Sequence, residues 1–118
     1  MEKNLIYGDL LDIYSGLLTQ KQAEAMDYYY CRDYSLGEIS ELMDISRQGV
    51  RDFIKRAEAI IDETEEKLHL LPRFRAAADI KELAEGIIEE NKRLSGVKKI
   101  EALAKKIIDA SVIMENGA

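Results

Sequence analysis

Residues 34–61, "YSLGEISELMDISRQGVRDFIKRAEAII", decide how this chain folds. Ser35 followed by Glu38 is a capping-box pattern, and it opens a short helix that ends near Met43. Ser46 then caps a second, long helix. Its apolar residues fall at Val50, Phe53, Ile54, Ala57, Ile60, Ile61, Leu68 and Leu71, and these steps of three and four hold one face. Between the two lies a turn, "MDIS". Ile39 and Leu42 are expected inward, and Ser40 is small where two helices must approach. Ile45 is an apolar turn residue, and Val50 and Phe53 pack back onto the first helix. This is helix-turn-helix spacing. The turn position that most often holds glycine has Asp44, which tolerates the left-handed conformation better than most residues.

The charge in this stretch runs against the rest of the chain. The 118 residues carry a formal net charge of -6, yet Arg47, Arg51, Lys55 and Arg56 crowd into the start of the second helix. Arg47, Arg51 and Lys55 are spaced by four and share one face, away from Val50, Phe53 and Ile54, with Gln48 beside them. A recognition helix needs cations for phosphates and forked or amide groups for base edges. Ser46, Arg47, Gln48, Arg51, Lys55 and Arg56 are therefore the candidate nucleic-acid-binding residues: Arg47, Gln48 and Arg51 for bases, Lys55 and Arg56 for phosphate. Glu58, Asp62, Glu63, Glu65 and Glu66 follow at once. They would repel a duplex and confine any footprint to the first three turns. The run Glu63, Glu65, Glu66 reads as a solvated face.

Working outward, Asn4 caps a first helix bearing Leu5, Ile6, Leu10, Leu11, Ile13 and Tyr14, which ends before Gly16. Thr19 with Gln22 is a second capping box, for a helix from about Gln20 to Cys31. Tyr28, Tyr29 and Tyr30 wrap the end of the helical core with their hydroxyls at the surface. Pro72 should stop the long fourth helix. Beyond it, "FRAAADIKELAEGIIEENKRL" is one amphipathic helix, Ser95-Gly96 breaks it, and Val97, Ile100, Leu103, Ala104, Ile107, Ile108 and Val112 mark another. The reading is all-α: residues 1–71 a helix-turn-helix domain ending in the long fourth helix, residues 72–118 an antiparallel helical hairpin for packing or dimerisation. The last residues, "MENGA", should fray. Exposed apolar stripes of this size are an aggregation hazard in a monomer, so a homodimer is expected.

Other classes fare worse. Strand signals are nearly absent, and no run approaches a membrane span. "MEKNLIYGDLLDIYS" carries acids inside its apolar stretch, unlike a signal peptide. A single cysteine, Cys31, suits a reducing cytoplasm and is expected to pack at the end of the second helix. His69, the only histidine, is expected at a helix end, and with Cys31 it lacks metal-site spacing, so no cofactor is expected. No Ser-His-Asp set, glycine-rich phosphate loop or acid pair on one helix face points to an enzyme.

The segment "LLTQKQAEAMDYYYCRDYSLGEISELMDISRQGVRDFIKRAE" resembles the promoter-reading C-terminal domain of bacterial sigma factors. "MDYYYCRDYSLGEISE", "ISRQGVRDFIKRAE" and "EKLHLL" together resemble the YlxM family of small bacterial proteins over nearly residues 1 to 71. That family is linked to the signal recognition particle through gene neighbourhood. The resemblance implies an accessory or regulatory role in co-translational targeting, with the particle's GTPase, its RNA and its receptor as candidate partners. It implies no sigma activity, because the other sigma regions are missing. Two functions stay open: binding of duplex DNA or structured RNA, and a protein-interaction module that docks on the GTPase without nucleic acid.

Overall fold

A computed structural model describes residues 3–94 and 98–116. Among them every regular element is helical: α1 (Ile6–Tyr14), a 3₁₀ turn (Ser15–Leu17), α2 (Gln20–Met26), a π turn (Asp27–Cys31), α3 (Leu36–Met43), α4 (Arg47–Leu68), α5 (Leu70–Leu94) and α6 (Lys98–Asn116). The chain divides into two compact units, Met1–Leu71 and Pro72–Ala118. The expected break at Ser95-Gly96, Val97 and the last two residues of "MENGA" lie outside the described residues, whereas Met114, Glu115 and Asn116, expected to fray, are the last residues of α6.

Local chemistry sets the helix starts. Thr19 and Ser35 each form a complete capping box, with Gln22 and Glu38 reaching back to the cap amides. The Ser46 hydroxyl accepts from the Gly49 amide at 3.0 Å and starts α4. Asn4 Oδ1 accepts from the Ile6 amide at 3.2 Å and serves α1 in the same way, although Leu5 is the capping residue.

The helix-turn-helix is α3, the turn at Asp44 and Ile45, and α4. Asp44 adopts the left-handed conformation, φ 54°. The Ser40 hydroxyl donates to the Ile45 carbonyl at 2.5 Å and ties the turn to α3. An L-residue in this conformation carries strain that glycine lacks, and no hydrogen bond of the Asp44 side chain offsets it. Asp44→Gly is therefore expected to raise stability by about 0.5–1 kcal/mol, read as a higher urea midpoint at unchanged slope.

The core of the first unit is built on α4. Val50, Ile54, Ala57 and Ile61 are fully buried, against Leu10, Leu11 and Tyr14 of α1, Met26, Tyr29 and Ile39. Each large apolar side chain so buried contributes about 1.5–3 kcal/mol. Leu42 departs from expectation: it is 55% exposed. In an eight-residue helix the inward stripe passes through Leu36, Ile39 and Met43, and Leu42 falls about 100° off it at 100° per residue.

Two further expectations are corrected. α4 does not run to Pro72. It ends at Leu68, His69 takes a left-handed conformation (φ 51°), and Pro72 sits in the first turn of α5. A first-turn residue has no intrahelical acceptor for its N–H, so proline fits there. The run Glu63, Glu65, Glu66 is not uniformly solvated either. Glu65 Oε1 accepts from the Tyr14 hydroxyl (2.6 Å), the Leu70 amide (2.8 Å) and the Leu71 amide (3.2 Å). It thereby holds α1 and caps α5.

Glu65 is one of three such carboxylates. Tyr7 Oη donates to Asp62 at 2.7 Å and Tyr30 Oη to Glu58 at 2.5 Å. Glu58, Asp62 and Glu65 lie on one line of α4. The π turn makes this possible: Arg32 N–H reaches back five residues to Asp27 at 3.0 Å. The widened turn leaves Tyr29 buried, directs Tyr30 to α4, and stacks Tyr28 on Tyr34 with centroids 5.6 Å apart. Cys31 ends this turn exposed rather than packed. Its thiol is pushed up, first by desolvation and then by Asp27, opposite to the shift a reactive thiolate needs.

Burial, then the hydrogen-bonded carboxylate, pushes Tyr14 up to about 12 and raises Tyr7 and Tyr30 as well. A group raised above its unfolded value of about 10 contributes stability that is fully present below that pH and lost as pH climbs through the folded value. Unfolding free energy is thus expected to lose these contributions above about pH 10. Urea titrations at successive pH values check this, and Tyr7, Tyr14 and Tyr30 all changed to Phe should flatten the alkaline fall.

Candidate nucleic-acid interface

The first half of α4 carries all six candidate residues, but their side chains do different things. Ser46 spends its hydroxyl on the helix start. Gln48 Nε2 donates to Asp52 Oδ1 at 2.9 Å, one turn on. Its amide is held along the helix, and a carboxylate joins the candidate face. Arg51 and Arg56 are exposed, with no ion pair among the described residues. Lys55 Nζ lies 3.8 Å from Glu58 Oε2 and stays half-exposed. So loose an exposed pair is worth only a few tenths of a kcal/mol and leaves the charge available.

Arg47 departs from the line it shares in sequence with Arg51 and Lys55. Its guanidinium lies against Gly37 of α3, so close that a Cβ there would meet Nη2 at 3.0 Å. Glycine at residue 37 gives the guanidinium its seat. The same groove, about 550 Å³, is lined by Lys3 and Tyr29 on its other side. Lys3 Nζ pairs with Asp33 Oδ1 at 2.7 Å and sits 4.3 Å over the Tyr29 ring. The structure therefore groups Arg51, Lys55 and Arg56 on α4, and sets Arg47 with Lys3 at the start of α3. Lys3 was missed by sequence reasoning. It lies thirty positions from Asp33, and no local pattern signals that contact.

Three of the acids that follow on α4 are engaged within the fold. Glu58, Asp62 and Glu65 accept phenol hydroxyls, which orients them toward α1 and the π turn. What remains is a short basic surface on the second helix of a helix-turn-helix. No described helix is long and apolar enough to cross a membrane.

Fold and surface define a helix-turn-helix protein whose second helix begins with a cluster of cations. The comparisons agree: the family model described as "Putative helix-turn-helix protein, YlxM / p13 like" matches residues 1–106, and the chain belongs to this UPF0122 family. It is 43% identical over 107 residues to the UPF0122 protein YlxM of Bacillus subtilis (87% of this chain, 97% of that protein). A UPF0122 protein of Thermoanaerobacter sp. is 46% identical over 112 residues (91% and 96%), and one of Bacillus velezensis 44% over 107 residues (87% and 97%).

Proposed function

We propose that this chain is an accessory or regulatory protein of the signal recognition particle pathway in the cytoplasm, working as a homodimer. It binds structured RNA or duplex DNA through Arg51, Lys55 and Arg56, with Arg47 at the edge. One observation carries the reading. On a chain of net charge -6, the exposed cations of α4 cluster on the helix that a helix-turn-helix presents to nucleic acid. The sigma-like spacing supports the same surface, and the family resemblance points to the particle's RNA.

The test is titration of purified protein against signal-particle RNA and random duplex DNA at two salt concentrations. With about four phosphate contacts, affinity should fall on the order of 100-fold between about 50 and about 200 mM salt. A second reading, docking on the particle's GTPase, draws on Asp52 beside Gln48 and on exposed Leu42. Absence of binding to either nucleic acid at low salt would favour it.

A further inference from the structure

α5 and α6 are copies of one pattern with the charges exchanged. Residues 80–88, "IKELAEGII", recur twenty positions on, from Ile80 to Ile100, as "IEALAKKII". Ile, Leu, Ala, Ile and Ile coincide, while Lys81 becomes Glu101 and Glu85 becomes Lys105. Within the second unit, the described residues of both helices bury only a narrow line of small or polar residues at steps of seven: Ala77, Ala84 and Asn91 on α5, Ala104 and Ser111 on α6. These helices form one compact unit, with α6 starting at Lys98 just after α5 ends at Leu94.

The line uses only one edge of each apolar face. Beside it, Leu83 is 69% and Leu103 52% exposed, with Ile87 and Ile107 also exposed. On α5 this open edge is a groove of about 920 Å³ around Gly86, lined by Leu83 and Ile87 and rimmed by Asp79, Glu82 and Glu90. On α6 the matching positions are Lys99, Leu103, Lys106 and Ile107, one face at steps of four, three and one. The open edge of α5 is acidic and notched at Gly86, and that of α6 is basic with Lys106 in the equivalent place.

From this charge-exchanged repeat we infer that the occupant is a second copy, and that each α5 groove receives the partner's α6. The result is a four-helix bundle in which α5 and α6 alternate. Two identical contacts form about one two-fold axis, as an isologous dimer requires, and both helices gain the second neighbour that their wide apolar faces call for. Pairing of α5 with α5 would set the acidic rims together, and α6 with α6 the lysines. Asn91, near the end of the buried line, is the kind of polar residue that fixes register in such seams.

This rests on the dimer proposed above and specifies its interface. Sedimentation equilibrium of the full chain should give twice the 13.4 kDa chain mass. Lys99→Glu with Lys106→Glu should give single-chain mass at the same concentration with unchanged helical circular dichroism. Adding Asp79→Lys and Glu82→Lys should restore the dimer. A single-chain mass for the natural sequence overturns the dimer and this interface together. A natural dimer that the lysine changes leave intact, or whose loss the α5 changes do not repair, overturns the α5–α6 pairing alone. Nucleic-acid binding is read separately and does not enter either outcome.

Discussion

Replacing Glu65 by alanine should lower the stability of the helix-turn-helix unit by about 2–4 kcal/mol, the largest effect expected from any single acid in α4. Three donors lose their acceptor at once. The Tyr14 hydroxyl belongs to a residue only 3% exposed, and the Leu71 amide to one 7% exposed. The Leu70 amide loses its cap too. A buried donor left without a partner costs about 1–3 kcal/mol, and a lost helix cap typically about 1; the terms overlap because one carboxylate serves all three. Urea unfolding followed by circular dichroism measures the difference. Glu66→Ala, one position on and exposed, is the control and should stay within about 0.5 kcal/mol. Tyr14→Phe should recover only part of the Glu65 effect, because it leaves the α5 cap in place. Equal effects for Glu65→Ala and Glu66→Ala would mean that the carboxylate does not hold α1 and α5.

These residues also show what a sequence can and cannot carry. Thr19, Ser35 and Ser46 were legible as helix starts because a cap involves groups within three residues, and the chemistry repeats wherever the pattern does. The turn at Asp44 and the anchors Ile39 and Val50 were legible for the same reason. The end of α4 was not. A proline stops a helix behind it but is welcome in a helix's first turn, and only the left-handed His69 distinguishes the two. Leu42 was misplaced because α3 is too short for periodicity to fix its face. The tyrosine–carboxylate bonds join residues separated by 28 to 55 positions. Nothing local announces them, and "EEK" looks solvated wherever it occurs. At the candidate interface, composition and spacing located the basic segment. The seat of Arg47 on Gly37, the companion Lys3 and the Gln48–Asp52 bond are tertiary or rotameric facts beyond any spacing rule.

The second large effect concerns binding. Arg47 and Arg51 both changed to Glu should reduce nucleic-acid affinity by at least about 100-fold at low salt. Two phosphate or base contacts are lost, and two carboxylates face the backbone where cations stood. Each lost phosphate contact also removes about 0.9 from the slope of log affinity against log salt. The fold should tolerate both changes, since Arg47 and Arg51 are exposed and make no ion pair among the described residues. Arg47→Glu alone should act less strongly than Arg51→Glu, because its guanidinium sits at the edge against Gly37 and Arg51 lies on the open face of α4. Equal effects would place Arg47 back in line with Arg51 when nucleic acid is bound.

The measurement that tests the central claim most directly is the salt dependence of binding to signal-particle RNA and to random duplex DNA, with the natural chain and the Arg47→Glu, Arg51→Glu variant side by side. The account predicts binding by the natural chain to at least one of them, with a log–log slope near about −3.6 for four contacts on a duplex, and loss of that binding in the variant. Undiminished binding in the variant, or none by the natural chain at about 50 mM salt, would contradict it and assign the basic face of α4 to a protein partner.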